Sequence, residues 1–135
     1  MKELTIAATT ENIGVVTDFV NEQLESFDCP IKAQMQIDIA IDELFGNIAH
    51  YAYNPEVGDA TVRVEVKDEP LAVVITFIDK GVPYDPLKKS DPDTSLSAEE
   101  REIGGLGIYM VKKSMDEISY EYKDGQNILT ILKNI

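Results

Sequence analysis

Ile41-Asp42-Glu43-Leu44-Phe45-Gly46-Asn47 lies in the middle of the longest helix-like segment of the chain. Glu43 and Asn47 are four residues apart, which on a helix puts their side chains on one face, one turn above the other. Ile37, Ile41, Leu44 and Ile48 recur at helical spacing and form the stripe predicted to be buried. A helix patterned in this way holds a carboxylate and an amide at the edge of its core face, where each can address a ligand. Taken alone, an acid and an amide four apart usually mark a solvated face. The segments on either side decide between the two readings.

Upstream, Asp28-Cys29-Pro30 breaks the chain, and Pro30 sits where a new helix can begin. The helix is predicted from about Ile31 to Tyr53, ended by the turn chemistry of Asn54-Pro55 and Val57-Gly58-Asp59. Before it, Val15, Val16, Phe19, Val20 and Leu24 give a second helical stripe up to about Phe27. Thr9 or Thr10 is placed to cap that helix and Glu11 falls in its first turn. Leu4 to Ala8 alternates as a short strand.

Downstream, Thr61 to Lys67 alternates strictly and Leu71 to Ile78 is nearly all apolar. The two read as a hairpin whose first strand is half exposed and whose second is central. From Asp79 to Ile103 the pattern dissolves into Pro, Gly, Lys, Asp and Ser. A structureless span of that length inside a small domain is often a functional lid. Gly104-Gly105-Leu106-Gly107 opens a third helix through about Met115, with Ile108, Val111 and Met115 inward. Glu117 to Lys123 and Asn127 to Lys133 flank an Asp124-Gly125 turn, a strong hairpin signal. The order is strand, helix, helix, two strands, loop, helix, two strands, which argues for a two-layer α+β sandwich.

At 135 residues the chain, 1–135, is one domain. Its 12 Lys and Arg against 25 Asp and Glu give a net charge of −13, which repels a phosphate backbone and argues against direct nucleic-acid binding. The same field would steer a basic protein partner inward. Cys29 is the sole cysteine, so no disulfide framework or cysteine metal site is expected. The N-terminus lacks the apolar run of a signal peptide, and no segment reaches the roughly 18 residues of a membrane helix. A cytoplasmic protein is expected.

Four features combine into one chemistry. Asp79, where an apolar strand ends in a carboxylate, can accept a hydrogen bond from an exocyclic amine such as that of adenine. Gly81 lets the backbone approach a base closely. The glycines before the third helix free N–H groups to face phosphate oxygens at a helix N-terminus. Asn47 offers an amide oxygen suited to Mg²⁺, and Glu43, one turn away, is placed to take a proton from an attacking hydroxyl or water.

Glu43-x-x-x-Asn47, Asp79-x-Gly81 and Gly104-Gly105-Leu106-Gly107 resemble, in order and rough spacing, the three ATP-site boxes of the Bergerat-fold (GHKL) ATPases. Within that superfamily the length, the phrase Asn47-Ile48-Ala49-His50-Tyr51-Ala52-Tyr53 and the step Met115-Asp116-Glu117 are similar to the bacterial anti-sigma-factor serine kinases. The resemblance implies a mixed, mostly antiparallel sheet with three helices on one face and an ATP lid over about residues 84–107. It implies Glu43 as general base, Asn47 as Mg²⁺ ligand, Asp79 on the adenine amine and Gly81 at the base. Gly104, Gly105, Leu106 and Gly107 would form the phosphate-covering turn, and Thr130 falls where the family often has a threonine near the adenine. It further implies protein partners, a sigma factor and a small antagonist phosphorylated on serine, and leaves room for a homodimer.

Two departures stand beside it. Tyr51-Ala52-Tyr53 replaces the common His-Ala-Tyr, with His50 one place earlier and read as structural or exposed. The arginine that kinase members often carry just before the glycine box is replaced by Arg101-Glu102-Ile103, which brings in an alternative: a protein-binding module that uses nucleotide only as a switch. Lys88, Lys89 and Arg101 are candidate phosphate neutralisers, set against a merely solvated loop.

Overall fold

Pro30 and the Asp124-Gly125 pair punctuate the chain where the sequence suggested, and the elements between them follow the predicted order. In the computed structural model, which describes residues 1–53, 56–88 and 105–135, these are β1 (Lys2–Ala7), α1 (Ile13–Leu24), α2 (Ile31–Asn47), β2 (Asp59–Lys67), β3 (Ala72–Asp79), α3 (Gly105–Ser114), β4 (Glu117–Lys123) and β5 (Gln126–Asn134). The sheet order is β1-β2-β3-β5-β4, and each neighbouring pair is antiparallel. β3 is central, as its nearly all-apolar run suggests, and both of its edges are paired. No helix among the described residues is long and apolar enough to cross a membrane.

Strand alternation sends one face of the sheet inward. Val62 and Val64 of β2, Val73, Ile75 and Phe77 of β3, and Leu129 and Ile131 of β5 are buried. They form one cluster with Val16, Val20 and Leu24 of α1, Ile37, Ile41, Leu44 and Phe45 of α2, and Ile108 and Val111 of α3. Burying each large side chain in such a cluster contributes about 1.5–3 kcal/mol, so this single layer of helices on sheet is the main source of stability. The Asp124-Gly125 turn has φ of 54° and 76° at its two central residues, the left-handed pair that a two-residue hairpin needs.

Some boundaries differ from the sequence reading. Neither threonine caps α1: Thr9 makes no side-chain cap bond, and a 3₁₀ turn over Thr10–Asn12 intervenes. Asn12 instead donates its side-chain amide to the Ala7 carbonyl at 2.8 Å, tying the helix entry to the end of β1. α2 begins directly after Pro30, whose carbonyl accepts from the Gln34 N–H at 2.9 Å. It then passes into a π-helical turn over Ile48–Ala52. That turn frees the Ala52 carbonyl for a partner outside the helix, the Val82 N–H at 2.9 Å.

At the edge of the sheet, Arg63 on β2 donates to Glu3 on β1 at 2.6 Å, with the two side chains 44% and 49% exposed. Solvent screens a pair this open, so Arg63→Met is expected to cost less than about 1 kcal/mol. By calorimetry the melting temperature should fall by no more than about 4 °C. A larger loss would show that the edge strand depends on this pair for its register.

Candidate functional site

The site lies at the end of β3. Asp79, the last residue of that strand, faces Asn127 across the β3–β5 ladder, and both are buried on the helix side of the sheet, at 5% and 6% exposure. A buried carboxylate needs donors. The Asp79 Oδ1 accepts from the Gly81 N–H and from the Asn127 side-chain amide, each at 2.9 Å. Burial nonetheless pushes the Asp79 carboxyl above its ordinary pKa, with these two hydrogen bonds pulling the other way.

Above this pair the chain runs as a strap from Gly81 to Leu87. The Asn127 amide also donates to the Val82 carbonyl at 2.9 Å, and its oxygen accepts from the Tyr84 N–H at 3.1 Å and from the Tyr120 hydroxyl. Burial raises the Tyr120 pKa, which keeps that phenol protonated and donating. The Tyr84 ring packs against Tyr51 of the π-helical turn, with centroids 5.9 Å apart. Between strap, π turn and sheet lies a cleft whose walls include Ile48, Ala52, Phe77 and Leu129, with Asp79 as its acidic group; Asn47 also lines it. An apolar slot with one buried acceptor at its end suits a flat, amine-bearing ring.

Glu43 is half-buried one turn before Asn47. An ideal Cβ built on Gly107 would fall 2.2 Å from the Glu43 Oε2, so the carboxylate rests directly on the bare Cα of the first turn of α3. Only glycine leaves room for that approach. The carboxylate thus meets the positive end of the α3 dipole, where an anion is stabilised. Gly105 and Leu106 open the same helix. Gly104 lies outside the described residues, as do Lys89, Arg101 and the lid between them, while Lys88 ends a 3₁₀ turn, Pro86–Lys88. His50 is exposed.

The first two boxes and the described part of the third therefore converge, but Thr130 does not join them. Along β5, Asn127, Leu129 and Ile131 are buried toward the helices, so the two-residue period sends Thr130 to the opposite face, in register with Thr76 and Ser119. The residue beside Asp79 is Asn127, which sequence reasoning passed over as the start of a strand. Its signal in the sequence is weak: a polar residue just after the Asp124-Gly125 turn, next to an apolar run, 128–132, whose spacing does not tell the inward face from the outward one.

A family model described as the histidine kinase-like ATPase domain matches residues 6–133. The serine/threonine-protein kinase BtrW of Bordetella bronchiseptica is 26% identical over 100 residues, covering 74% of this chain and 70% of its own. The serine-protein kinase RsbW of Bacillus cereus is 25% identical over 130 residues, covering 93% of this chain and 71% of its own. Among solved structures, the histidine kinase domain of a blue-light activated histidine kinase from Erythrobacter litoralis has a TM-score of 0.55 at 13% identity. That match covers 93% of this chain and 60% of the solved chain, and it shows a common fold.

Proposed function

The chain belongs to the family of histidine kinase-like ATPase domains, and on that premise we propose that it binds ATP with Mg²⁺ and phosphorylates a serine of a protein substrate. The observation that carries the reading is the convergence of Asp79, Asn47 and Glu43 on one cleft and the helix start beside it. The donor set fits the nucleotide. Oδ1 of Asp79 takes both protein hydrogen bonds, which leaves the other carboxylate oxygen for the exocyclic amine of adenine. The glycines at the start of α3 present backbone N–H groups to phosphate oxygens.

Among the described residues no three His, Cys, Asp or Glu side chains cluster as a metal cage. A magnesium ion would therefore sit on the Asn47 amide oxygen and draw most of its ligands from phosphate and water, the usual habit of that ion. When bound it supplies charge neutralisation at the transferring phosphoryl group. Glu43 accepts the proton of the serine hydroxyl as its oxygen attacks the γ-phosphorus and the bond to the β-phosphate oxygen breaks. The relatives named as serine-protein kinases support a protein substrate, and the resemblance to anti-sigma-factor kinases extends this to a sigma factor bound and an antagonist phosphorylated.

Asp79→Asn tests the site. The substituted amide can still accept from Gly81 and Asn127, but it then turns an N–H₂ toward the ligand, donor against donor. ATP and ADP affinity by isothermal titration should fall at least about tenfold. The free protein should melt no lower than the wild type, because ionising a buried carboxyl of raised pKa costs stability as pH rises through its titration, and the amide removes that cost. For the wild type, adenine-nucleotide affinity should be lost as pH falls through the raised pKa, at less acidic pH than an ordinary carboxylate would give. Equal affinity of wild type and Asp79→Asn would sink the assignment.

A second reading keeps nucleotide binding without transfer. It rests on the absence of an arginine immediately before Gly104-Gly105, where the sequence has Arg101-Glu102-Ile103. Nucleotide would then only order the lid and present a protein-binding surface. Incubation with ATP and an antagonist protein separates the two: a kinase leaves phosphoserine and a switch leaves none.

A further inference from the structure

We infer that Asn127 is a positioning residue that makes the base pocket select an exocyclic amine over a carbonyl, an inference that rests on the nucleotide reading given above. A carboxamide has two N–H donors and an oxygen with two lone pairs. At Asn127 one N–H goes to the Asp79 Oδ1 at 2.9 Å and the other to the Val82 carbonyl at 2.9 Å, with the Gly81 carbonyl farther off at 3.4 Å. The oxygen accepts from the Tyr84 N–H and the Tyr120 hydroxyl. Every site is used, and the side chain is buried. Its orientation is fixed by partners that cannot change role, since the Val82 carbonyl only accepts and the Tyr84 N–H only donates. A flipped amide would set acceptor on acceptor and donor on donor at once.

Two consequences follow for Asp79. Its Oδ1 is held by two donors, so the carboxylate cannot rotate freely and its other oxygen keeps one direction. The neighbouring backbone donors are also committed: the Gly81 N–H to Asp79, the Val82 N–H to Ala52, the Tyr84 N–H to Asn127, and the Lys80 N–H to the Tyr53 hydroxyl. Among the described backbone groups beside Asp79, the polar end of the cleft therefore offers an acceptor and no spare N–H. An exocyclic amine meets it well. A carbonyl at the same position sets its lone pairs against a carboxylate, with no proton to lie between them.

The test compares ADP with inosine diphosphate, the same purine shape carrying a carbonyl in place of the amine. It uses wild type, Asn127→Thr and Asn127→Val, with thermal melts to establish that each is folded. Threonine and valine have nearly the same shape and differ by one hydroxyl. Across a directly paired strand position that hydroxyl can reach the Asp79 carboxylate. Wild type should prefer ADP by at least about tenfold, the size of a charged hydrogen bond left unmade. Asn127→Thr should keep most of that preference, and Asn127→Val should lose it.

The pH profile gives a readout that general damage would not move. Without the Asn127 donor, Asp79 holds its proton to higher pH, and a protonated carboxyl can donate to a carbonyl. In Asn127→Val the remaining preference for ADP should begin to shrink at a higher pH than in wild type, because one of the two donors that favour the ionised Asp79 carboxylate is gone. A wild-type preference retained at every pH by Asn127→Val would overturn the inference, and so would equal binding of the two nucleotides by wild type, with the nucleotide site still standing in both cases. If wild type bound neither nucleotide, the reading beneath it would fall as well. Should Asn127→Val not fold, Asn127→Thr decides alone: loss of its preference overturns the role of the shared donor.

Discussion

Gly81→Ala is expected to weaken ADP binding at least about tenfold, through loss of a charge-assisted hydrogen bond, and to lower the melting temperature of the free protein. A Cβ at position 81 would lie 2.2 Å from the Ala52 carbonyl oxygen and 2.6 Å from both its carbon and Cβ. Two of these are backbone atoms of the π-helical turn, held there in part by the Val82 N–H. Neither a side-chain rotation nor a small shift relieves contacts that short, so the strap must lift from the turn. Lifting it takes the Gly81 N–H away from Asp79 and the Val82 carbonyl away from Asn127. Overpacking of this kind costs about 1–3 kcal/mol, which for a domain of this size is a fall of about 4–12 °C. Scanning calorimetry and ADP titration measure both quantities. An alanine variant that melts and binds like the wild type would mean that strap and turn do not jointly build the pocket.

This expectation turns on a contact that no sequence pattern displays. Asp79-Lys80-Gly81 could be read as a carboxylate followed by a residue permitting close approach, because an apolar run ending in an acid is visible along the chain. What Gly81 approaches is the carbonyl of Ala52, twenty-nine positions earlier, at a turn whose π geometry departs from the helix that the periodicity predicts. The layers were legible because burial imposes periods: two in β2, and three to four in α1 and α2. The hairpin before β5 was legible because Asp-Gly fills two left-handed positions.

Thr130 and Asn127 mark where that legibility stops. Both are polar residues of one strand, three apart, and a period of two puts them on opposite faces. Choosing between them required knowing that Leu129 and Ile131 point inward, which the spacing of alternate apolar residues in Ile128-Leu129-Thr130-Ile131-Leu132 does not settle, since both faces of that run are apolar. The register with Asp79 settles it. The caps failed for a related reason: Thr9 and Thr10 have the right chemistry for α1, but the chain turns through a 3₁₀ segment first and the amide of Asn12 makes the closing bond.

Glu43→Gln is expected to reduce phosphoryl transfer by about 10²–10⁴-fold while leaving ADP affinity within about threefold, because a general base acts on the proton in flight and not on the bound base. Gly107→Ala makes a sharper companion. Its new Cβ would fall 2.2 Å from the Glu43 Oε2 and 2.3 Å from its Cδ, atoms at the end of a flexible side chain, so the carboxylate swings aside where the backbone beside Gly81 could not. Stability should change by less than about 1 kcal/mol. Transfer should nevertheless fall by about 10²-fold, the cost of moving a reacting group by about an ångström. The readout is labelled γ-phosphate passed from ATP to a serine-bearing antagonist in a single turnover. In the double variant the losses should not multiply, because once Glu43 no longer takes the proton its position ceases to matter. If Gly107→Ala cost as much in the Glu43→Gln background as in the wild type, the first turn of α3 would be acting on the phosphates directly and not through the Glu43 carboxylate.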